Sequence, residues 1–365
     1  MRNNFSRNFK RILITGGSGF IGSNLLQRLF KEKDLNIFNL DKLSYSSDQS
    51  FNNFKTKDNE IKYKFLKVDL SNKTDTREAL EFSKPDLIIN LAAESHVDRS
   101  IDSPDIFLES NTVGTFNLLE TARQYWNNLS LDKKDLFRFI HVSTDEVFGS
   151  LSLTGKFNEN SQYQPSSPYS ASKAASDHFV TSWYKTFNFP SIVSNCSNNY
   201  GPRQFPEKLI PLTIQKIINN SQIPIYGNGS NIRDWLFVED HIEALLLIAI
   251  KGELGSRYCI GGGVEVTNLE LIKSICKRID EKFESFSNSE RLINFVKDRP
   301  GHDFRYSIDN SLIRKELNWE PKIELNDGLD KTIDWYFHNI SWCEEILSQS
   351  KYNLERLGLK SNIYD

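Results

Sequence analysis

Thr15-Gly16-Gly17-Ser18-Gly19-Phe20-Ile21-Gly22 stands between a short apolar run, Arg11–Thr15, and a helical pattern near Ile21–Lys31. Glycines at 16, 19 and 22 permit a tight turn, close approach of a pyrophosphate, and close packing of helix on strand. The helix N-terminus adds free N–H groups and a partial positive charge. A glycine-rich turn alone is weak evidence, but here the strand before it and the helix after it are both in place. Asp41 ends the next apolar run, where a carboxylate can accept both ribose hydroxyls and repel a 2′-phosphate. This predicts NAD as cofactor, a preference over NADP that the neighbouring Lys42 softens.

Working outward, the same alternation continues. Arg11–Thr15, Asn36–Leu40, Tyr63–Val68, Leu87–Leu91 and Phe137–Val142 read as buried strands, with Ser191–Asn195 as a sixth. Helical patterns lie near Ile21–Lys31, Thr74–Phe82, Pro104–Trp126 and Tyr169–Phe187. The class is therefore α/β: a Rossmann-type, doubly wound parallel sheet over residues 10–196. After Asn198 proline and glycine become frequent (Pro202, Pro206, Pro211, Pro224, Gly227, Gly229) and short strands mix with helices. That composition predicts a smaller C-terminal α/β substrate-binding lobe over 197–340, with room for some segments to return to the first domain. The charge-rich stretch Asp280–Glu290 reads as an exposed helix end and loop, and the tail at 341–365 carries no legible role.

Bulk properties narrow the function. Hydrophobic residues at 38% and charged residues at 25% are those of an ordinary globular chain. A net charge of −3 offers no electrostatic case for nucleic acid or an anionic membrane. The apolar run Ala244–Ile250 is far below the length of a membrane span. Cys196, Cys259, Cys276 and Cys343 show neither C-x-x-C spacing nor a metal-ligand grouping, and read as reduced thiols of a cytoplasmic protein.

The chemistry is carried by Ser143-Thr144-Asp145-Glu146-Val147 together with Tyr169 and Lys173. Tyr169 and Lys173 lie one helical turn apart and share a face. An ammonium beside a phenol, helped by a positive nicotinamide ring, is expected to lower the phenol's pKa so that it acts as a base. Thr144 can bond the same substrate oxygen, and Lys173 can also hold the nicotinamide ribose. A lone Tyr-x-x-x-Lys is common by chance; the ordered set is not. Many Asp-Glu pairs merely cap a loop, but Asp145 and Glu146 follow a strand at the edge where ligands bind. Two carboxyls in different environments divide into an acid and a base. A plain dehydrogenase needs no such pair, so the expectation is oxidation followed by elimination of water, with Glu146 taking a proton and Asp145 giving one.

These motifs resemble the extended short-chain dehydrogenase/reductases, and among them the dTDP-glucose 4,6-dehydratases, from about Lys10 to about Trp335. The resemblance rests on Gly16–Gly22, Leu91–Ser100, Ser143–Val147, Tyr169–Lys173, Ser197–Pro202, Tyr226–Asp240 and Arg299–Asp303. It implies a redox-neutral reaction in which Tyr169 deprotonates the 4′-hydroxyl, Glu146 removes the C5′ proton and Asp145 protonates the departing 6′-hydroxyl. It further implies cofactor contacts at Gly16, Gly19, Phe20, Ile21, Gly22, Asp41, Lys42, Leu43, Ser44, Asp69, Leu70, Leu91, Ala92, Ala93, Ser110, Tyr169, Lys173 and Asn199. Substrate contacts are implied at Ser95, Thr144, Asn198, Lys208, Leu209, Pro224, Tyr226, Arg233, Asn268, Asp298, Arg299 and His302. Arg233 is chemically suited to a diphosphate, and His96 reads as a packing residue. The family's role implies a nucleotide-sugar substrate and a homodimer built from the long helices. The chain departs from the family after Leu43, where it reads Ser44-Tyr45-Ser46-Ser47-Asp48. Alternatives sharing the cofactor machinery are a nucleotide-sugar 4-epimerase, which does not require the Asp145-Glu146 pair, a UDP-glucose 4,6-dehydratase, and a silent NAD sensor, which would not need to keep every reacting group.

Overall fold

A computed structural model describes residues 5–52 and 61–358. Its first layer runs β1 (Arg11–Thr15), α1 (Phe20–Leu29), β2 (Leu35–Asp41), β3 (Ile61–Lys67), α2 (Lys73–Ser83) and β4 (Leu87–Asn90). The chain then makes the short helices α3 (Val97–Asp102) and α4 (Pro104–Phe107), α5 (Gly114–Asn127), α6 (Leu131–Leu136) and β5 (Arg138–Thr144). Next come α7 (Pro168–Phe187) and β6 (Ser191–Cys196). Helix α7 starts where its sequence tells it to. Ser167 and Ser170 form a reciprocal capping box, and Pro168 occupies the first turn, where its missing N–H costs nothing.

Side-chain alternation along the strands explains the helices on both faces. Ile12, Ile14, Ile37, Ile89 and Ile140 face one core with Leu25, Leu26 and Leu29 of α1. Leu13, Phe38, Ile88 and Phe139 face the other with Leu80, Leu118, Leu119 and Val180. Strands buried on both faces are the mark of a parallel sheet.

The second half contains β7 (Asn198–Tyr200), α8 (Leu209–Ile218), β8 (Ile223–Tyr226), β9 (Ile232–Phe237), α9 (Val238–Lys251) and β10 (Arg257–Ile260). It continues with β11 (Glu265–Thr267), α10 (Asn268–Lys282), β12 (Ile293–Val296), α11 (Ser311–Leu317), α12 (Leu325–His338) and α13 (Ile340–Ser350). Much of this half returns to the first layer. Strand β10 completes a seven-stranded sheet of order β10-β6-β5-β4-β1-β2-β3, every neighbouring pair parallel. Ile242, Leu245, Ile248, Ile313, Leu317 and Trp319 join the core of α1. A separate core under β8, β9, α8, α10 and α12 supports the rest, with a three-stranded sheet β11-β9-β7 and the pair β12-β8.

One element differs from expectation. The helix expected to run unbroken from Pro104 to Trp126 opens into a π-helical turn at Leu108–Val113. The wider turn swings Ser110 and Asn111 inward. Asn111 clamps both backbone groups of Glu94 (2.8 and 3.0 Å) and reaches the Ser172 hydroxyl at 2.9 Å. Such turns recur at functional sites. Here it ties the loop after β4 to α7.

If the 311–319 segment belongs to the first core, Trp319→Ala should unfold the whole domain more easily. The indole is buried and donates to Asp240 O at 3.2 Å. Chemical denaturation is expected to show a loss of about 3–5 kcal/mol.

Candidate active site

The sheet order reverses between β1 and β4, and their carboxyl ends open the crevice where such folds bind ligands. Gly16 holds φ +69°, and a Cβ there would lie 2.7 Å from the Ala92 backbone. Only glycine lets the two strand ends meet. Gly22 is equally constrained, since a Cβ would lie 2.2 Å from Gly16 O.

The crevice is lined first by Gly16, Gly19, Asp41, Lys42, Ser44, Asp69, Leu70, Leu91, Ala92, Ala93 and Ser110. It continues past Phe20, Ile21, Gly22 and Ser95 to Thr144, Asp145, Glu146, Tyr169, Lys173, Asn198, Asn199 and Lys208. Leu43 is not on the wall. It adopts φ +61° and its N–H donates to Asp41 Oδ1 at 2.8 Å.

Asp41 is more occupied than expected. It accepts Ser18 N (3.0 Å), Leu43 N (2.8 Å) and Ser47 Oγ (3.1 Å), three of roughly four acceptor positions on a carboxylate. Room for two ribose hydroxyls is therefore narrower than the sequence suggested. Burial raises its pKa against those hydrogen bonds. Asp69 accepts Ser71 N and Oγ, so it caps its own loop while lining the crevice. Lys42 pairs with Glu94 at 2.8 Å and touches Ser110 Oγ at 3.3 Å.

At the reacting end Tyr169 and Lys173 line the same crevice. Burial pushes the Tyr169 phenol well above its ordinary value, the Glu146 charge adds to this, and a hydrogen bond from Thr144 opposes it. Lys173 Nζ donates instead to Val142 O at 2.9 Å, and burial lowers its pKa. The protein's own groups thus hold the phenol protonated.

Asp145 and Glu146 do separate. Asp145 is sealed, 1% exposed, and burial beside Glu146 pushes it well above its ordinary value, which favours its protonated form. Glu146 is half-buried on the pocket wall; burial raises it too, but Arg299, Lys208 and Arg233 oppose the rise. Thr144 Oγ1 bonds Asp145 Oδ1 at 3.2 Å and accepts Glu146 N at 3.3 Å.

Beyond Glu146 a second hollow is lined by Asn198, Lys208, Leu209, Pro224, Tyr226, Arg233, Asn268, Arg299 and His302, as expected. Its buried Asn198 Oδ1, Trp235 Nε1, Asn268 Oδ1 and Arg299 Nε have no hydrogen-bond partner among the described residues. Unpaired buried polar atoms are costly, and all four belong to residues that line this one hollow. Asp298 lies behind the wall, where it accepts His302 Nδ1 (2.6 Å) and Arg299 N (2.8 Å).

The sequence reading passed over three wall residues. Asp98 accepts Tyr226 OH (2.7 Å) and Arg299 Nη1 (2.9 Å). Glu207 accepts Tyr45 OH (2.6 Å) and Arg99 Nε (2.8 Å), so the divergent loop after Leu43 reaches the second lobe. Tyr306 places its ring 4.3 Å from the Arg233 guanidinium. Asp98 lay inside the quoted Leu91–Ser100 motif and Glu207 beside Lys208; Tyr306 offered no local signal.

The family model described as GDP-mannose 4,6 dehydratase matches residues 13–332. A probable dTDP-glucose 4,6-dehydratase of Sinorhizobium fredii is 50% identical over 349 residues, covering 96% of this chain and 99% of that protein. The Escherichia coli dTDP-glucose 4,6-dehydratase is 47% identical, with the same shares covered. The chain belongs to the dTDP-glucose 4,6-dehydratase family. A crystal structure of the Bacillus anthracis family member in complex with NAD superposes with TM-score 0.80 at 38% identity, covering 92% of this chain and 99% of that one. Family membership and the NAD complex of this neighbour agree with NAD as the cofactor.

Gly16→Ala tests that placement. Strain of about 1–3 kcal/mol at a positive φ should weaken NAD binding by roughly 5- to 150-fold in a titration, with the fold retained by circular dichroism.

Proposed function

We propose that this chain converts dTDP-glucose to dTDP-4-keto-6-deoxy-glucose as an NAD-dependent hydro-lyase. The observation that carries this reading is the division of Asp145 and Glu146 beside Tyr169. One is sealed, where burial favours its protonated form, and the other lines the hollow that holds Lys208, Arg233 and Arg299. NAD, when bound, takes up a hydride and returns it, and its positive ring would favour the phenolate that the chain alone disfavours. The glycine cradle at Gly16, the carboxylate at Asp41 and the small wall at Leu91–Ala93 suit a dinucleotide.

The chain's residues then have distinct tasks. Tyr169 Oη takes the 4′-hydroxyl proton while Thr144 orients that oxygen. Oxidation at C4′ acidifies the C5′ proton, which Glu146 removes. Asp145, still protonated, delivers its proton to the departing 6′-hydroxyl. Arg233 and Arg299, with Lys208, supply positive charge where a diphosphate would lie. The unpaired Asn198 and Asn268 groups suit the nucleotide sugar's polar atoms. A homodimer through α4–α5 and α7 completes the reading; Leu108 at 55% and Phe187 at 40% exposure support it, and light scattering at micromolar concentration should give twice the chain mass.

The first test is incubation of the purified protein with dTDP-glucose and no added NAD, followed by mass spectrometry. Loss of one water is expected. An unchanged mass with inverted C4′ would instead mean a 4-epimerase, and competition by UDP-glucose tests the base. Glu146→Gln and Asp145→Asn should each slow dehydration by about 10²- to 10⁴-fold. Both should still oxidise C4′, so reduced cofactor accumulates and is read by its absorbance.

A further inference from the structure

Behind Lys173, away from the crevice, lies a set of polar groups that the reaction described so far does not use. Asp177 follows Lys173 by one helical turn on α7 and shares its face. Both are buried, Asp177 at 0% exposure. Asp177 Oδ2 accepts Tyr163 OH at 2.6 Å and Asn195 Nδ2 at 3.1 Å. Its Oδ1 lies 3.3 Å from His141 Nε2. Asn90 Nδ2 sits 3.0 Å from His141 Nδ1, and Asn90 Oδ1 is committed to the Thr15 hydroxyl at 2.6 Å. The amide therefore donates to Nδ1, which puts the imidazole proton on Nε2, facing Asp177.

The ends of this chain of bonds are informative. Thr15 Oγ1 accepts the N–H of Ala92, on the cofactor wall, at 3.2 Å. Asn195 Nδ2 also donates to Thr144 O at 3.0 Å, beside the reacting groups. A carboxylate sealed from water needs both donors and a countercharge. The donors come from β5, β6 and the loop before α7. The titratable groups packed around the pair are His141 on β5, Tyr163 in that loop and Cys196 on β6. Arg257 and His178 meet only the Tyr163 ring, the first at 4.6 Å and the second at 5.1 Å. Lys173 is thus the cation that shares a buried face with Asp177.

We propose that Asp177 is a positioning residue for the reaction, a sealed counter-ion that keeps Lys173 an ammonium and, through Asn195, fixes the Thr144 backbone. His141 Nε2 faces the carboxylate at 3.3 Å. The electrostatics agree. Burial lowers the Lys173 pKa, and Asp177 is the leading influence against that fall. Burial would raise Asp177, yet the adjacent His141 imidazole, the Lys173 charge and the Tyr163 hydroxyl hold it below the usual carboxylate range.

The inference rests on the dehydratase reading, so its test runs beside the wild-type enzyme with dTDP-glucose and NAD. Removing the anion lowers the Lys173 pKa, so the ammonium is lost at lower pH. For Asp177→Asn the alkaline limb of the kcat profile should move acid-ward by about one unit or more, with KM for the sugar nucleotide changed less than twofold. Because an amide must face three donors, Asp177→Ser serves as a second neutral variant and should shift the limb the same way. Tyr163→Phe removes a donor and keeps the charge, so its limb should stay in place. Folded neutral variants with an unshifted limb would overturn the proposal. So would failure of both to fold, which would make Asp177 a structural anion. An inactive wild type would instead refute the dehydratase reading.

Discussion

The close approach of Gly16 to Ala92 is the constraint on which the rest depends. A parallel sheet delivers strand ends to one edge, but only at its order reversal do adjacent ends splay enough to admit a ligand. At that point the backbone itself forms the wall, and any side chain at Gly16 would fill it. The cofactor crevice thus exists because a Cβ is missing. Asp41 and Thr144 reach the crevice as the last residues of β2 and β5, and Leu91 directly follows β4.

Charge is the second organising factor. The substrate hollow gathers Arg233, Arg299 and Lys208, and the chain offsets them with Asp98 and Glu207, carboxylates that also hold tyrosines from distant segments. Arg299 and Tyr226 cannot wander while both bond Asp98. Four other polar atoms are left unpaired in the same hollow. The paired groups hold the shape of the hollow before any ligand enters, which is preorganisation.

Much of this was legible in the sequence, and the reasons are local. Strand β1 and its glycine turn, the Asp41 strand end, and the Tyr169–Lys173 face each follow from patterns under thirty residues long. What was not legible came from distance. No periodicity announces that Arg257–Ile260 joins β6 as a seventh strand, since four residues after a helix look like any short apolar run. The π turn at Leu108–Val113 was hidden because its helical periodicity continues on either side. Sequence shows that Lys173 is near Tyr169 but not that its ammonium bonds Val142 O while burial and the Glu146 charge raise the phenol. Spacing gives proximity; direction needs the fold.

The tail shows the same limit from the other side, for it matched no motif yet crosses both lobes. Trp342 Nε1 donates to Asp48 at 2.9 Å, in the loop that diverges after Leu43. Tyr352 lies near the Arg99 guanidinium, which also stacks on Tyr45 at 3.7 Å. Arg356 sits 4.9 Å over the Tyr226 ring and bonds Lys297 O at 2.5 Å, while Gly358 N reaches Asp102 at 2.9 Å. Each contact joins residues at least fifty positions apart, so none leaves a trace in local composition. Tyr226 is thereby held on its hydroxyl by Asp98 and on its face by Arg356. The divergent loop and the tail also meet on the same arginine, so Tyr45 and Tyr352 share one surface around Arg99, while Ser44, Ser46 and Ser47 of that loop line the cofactor crevice.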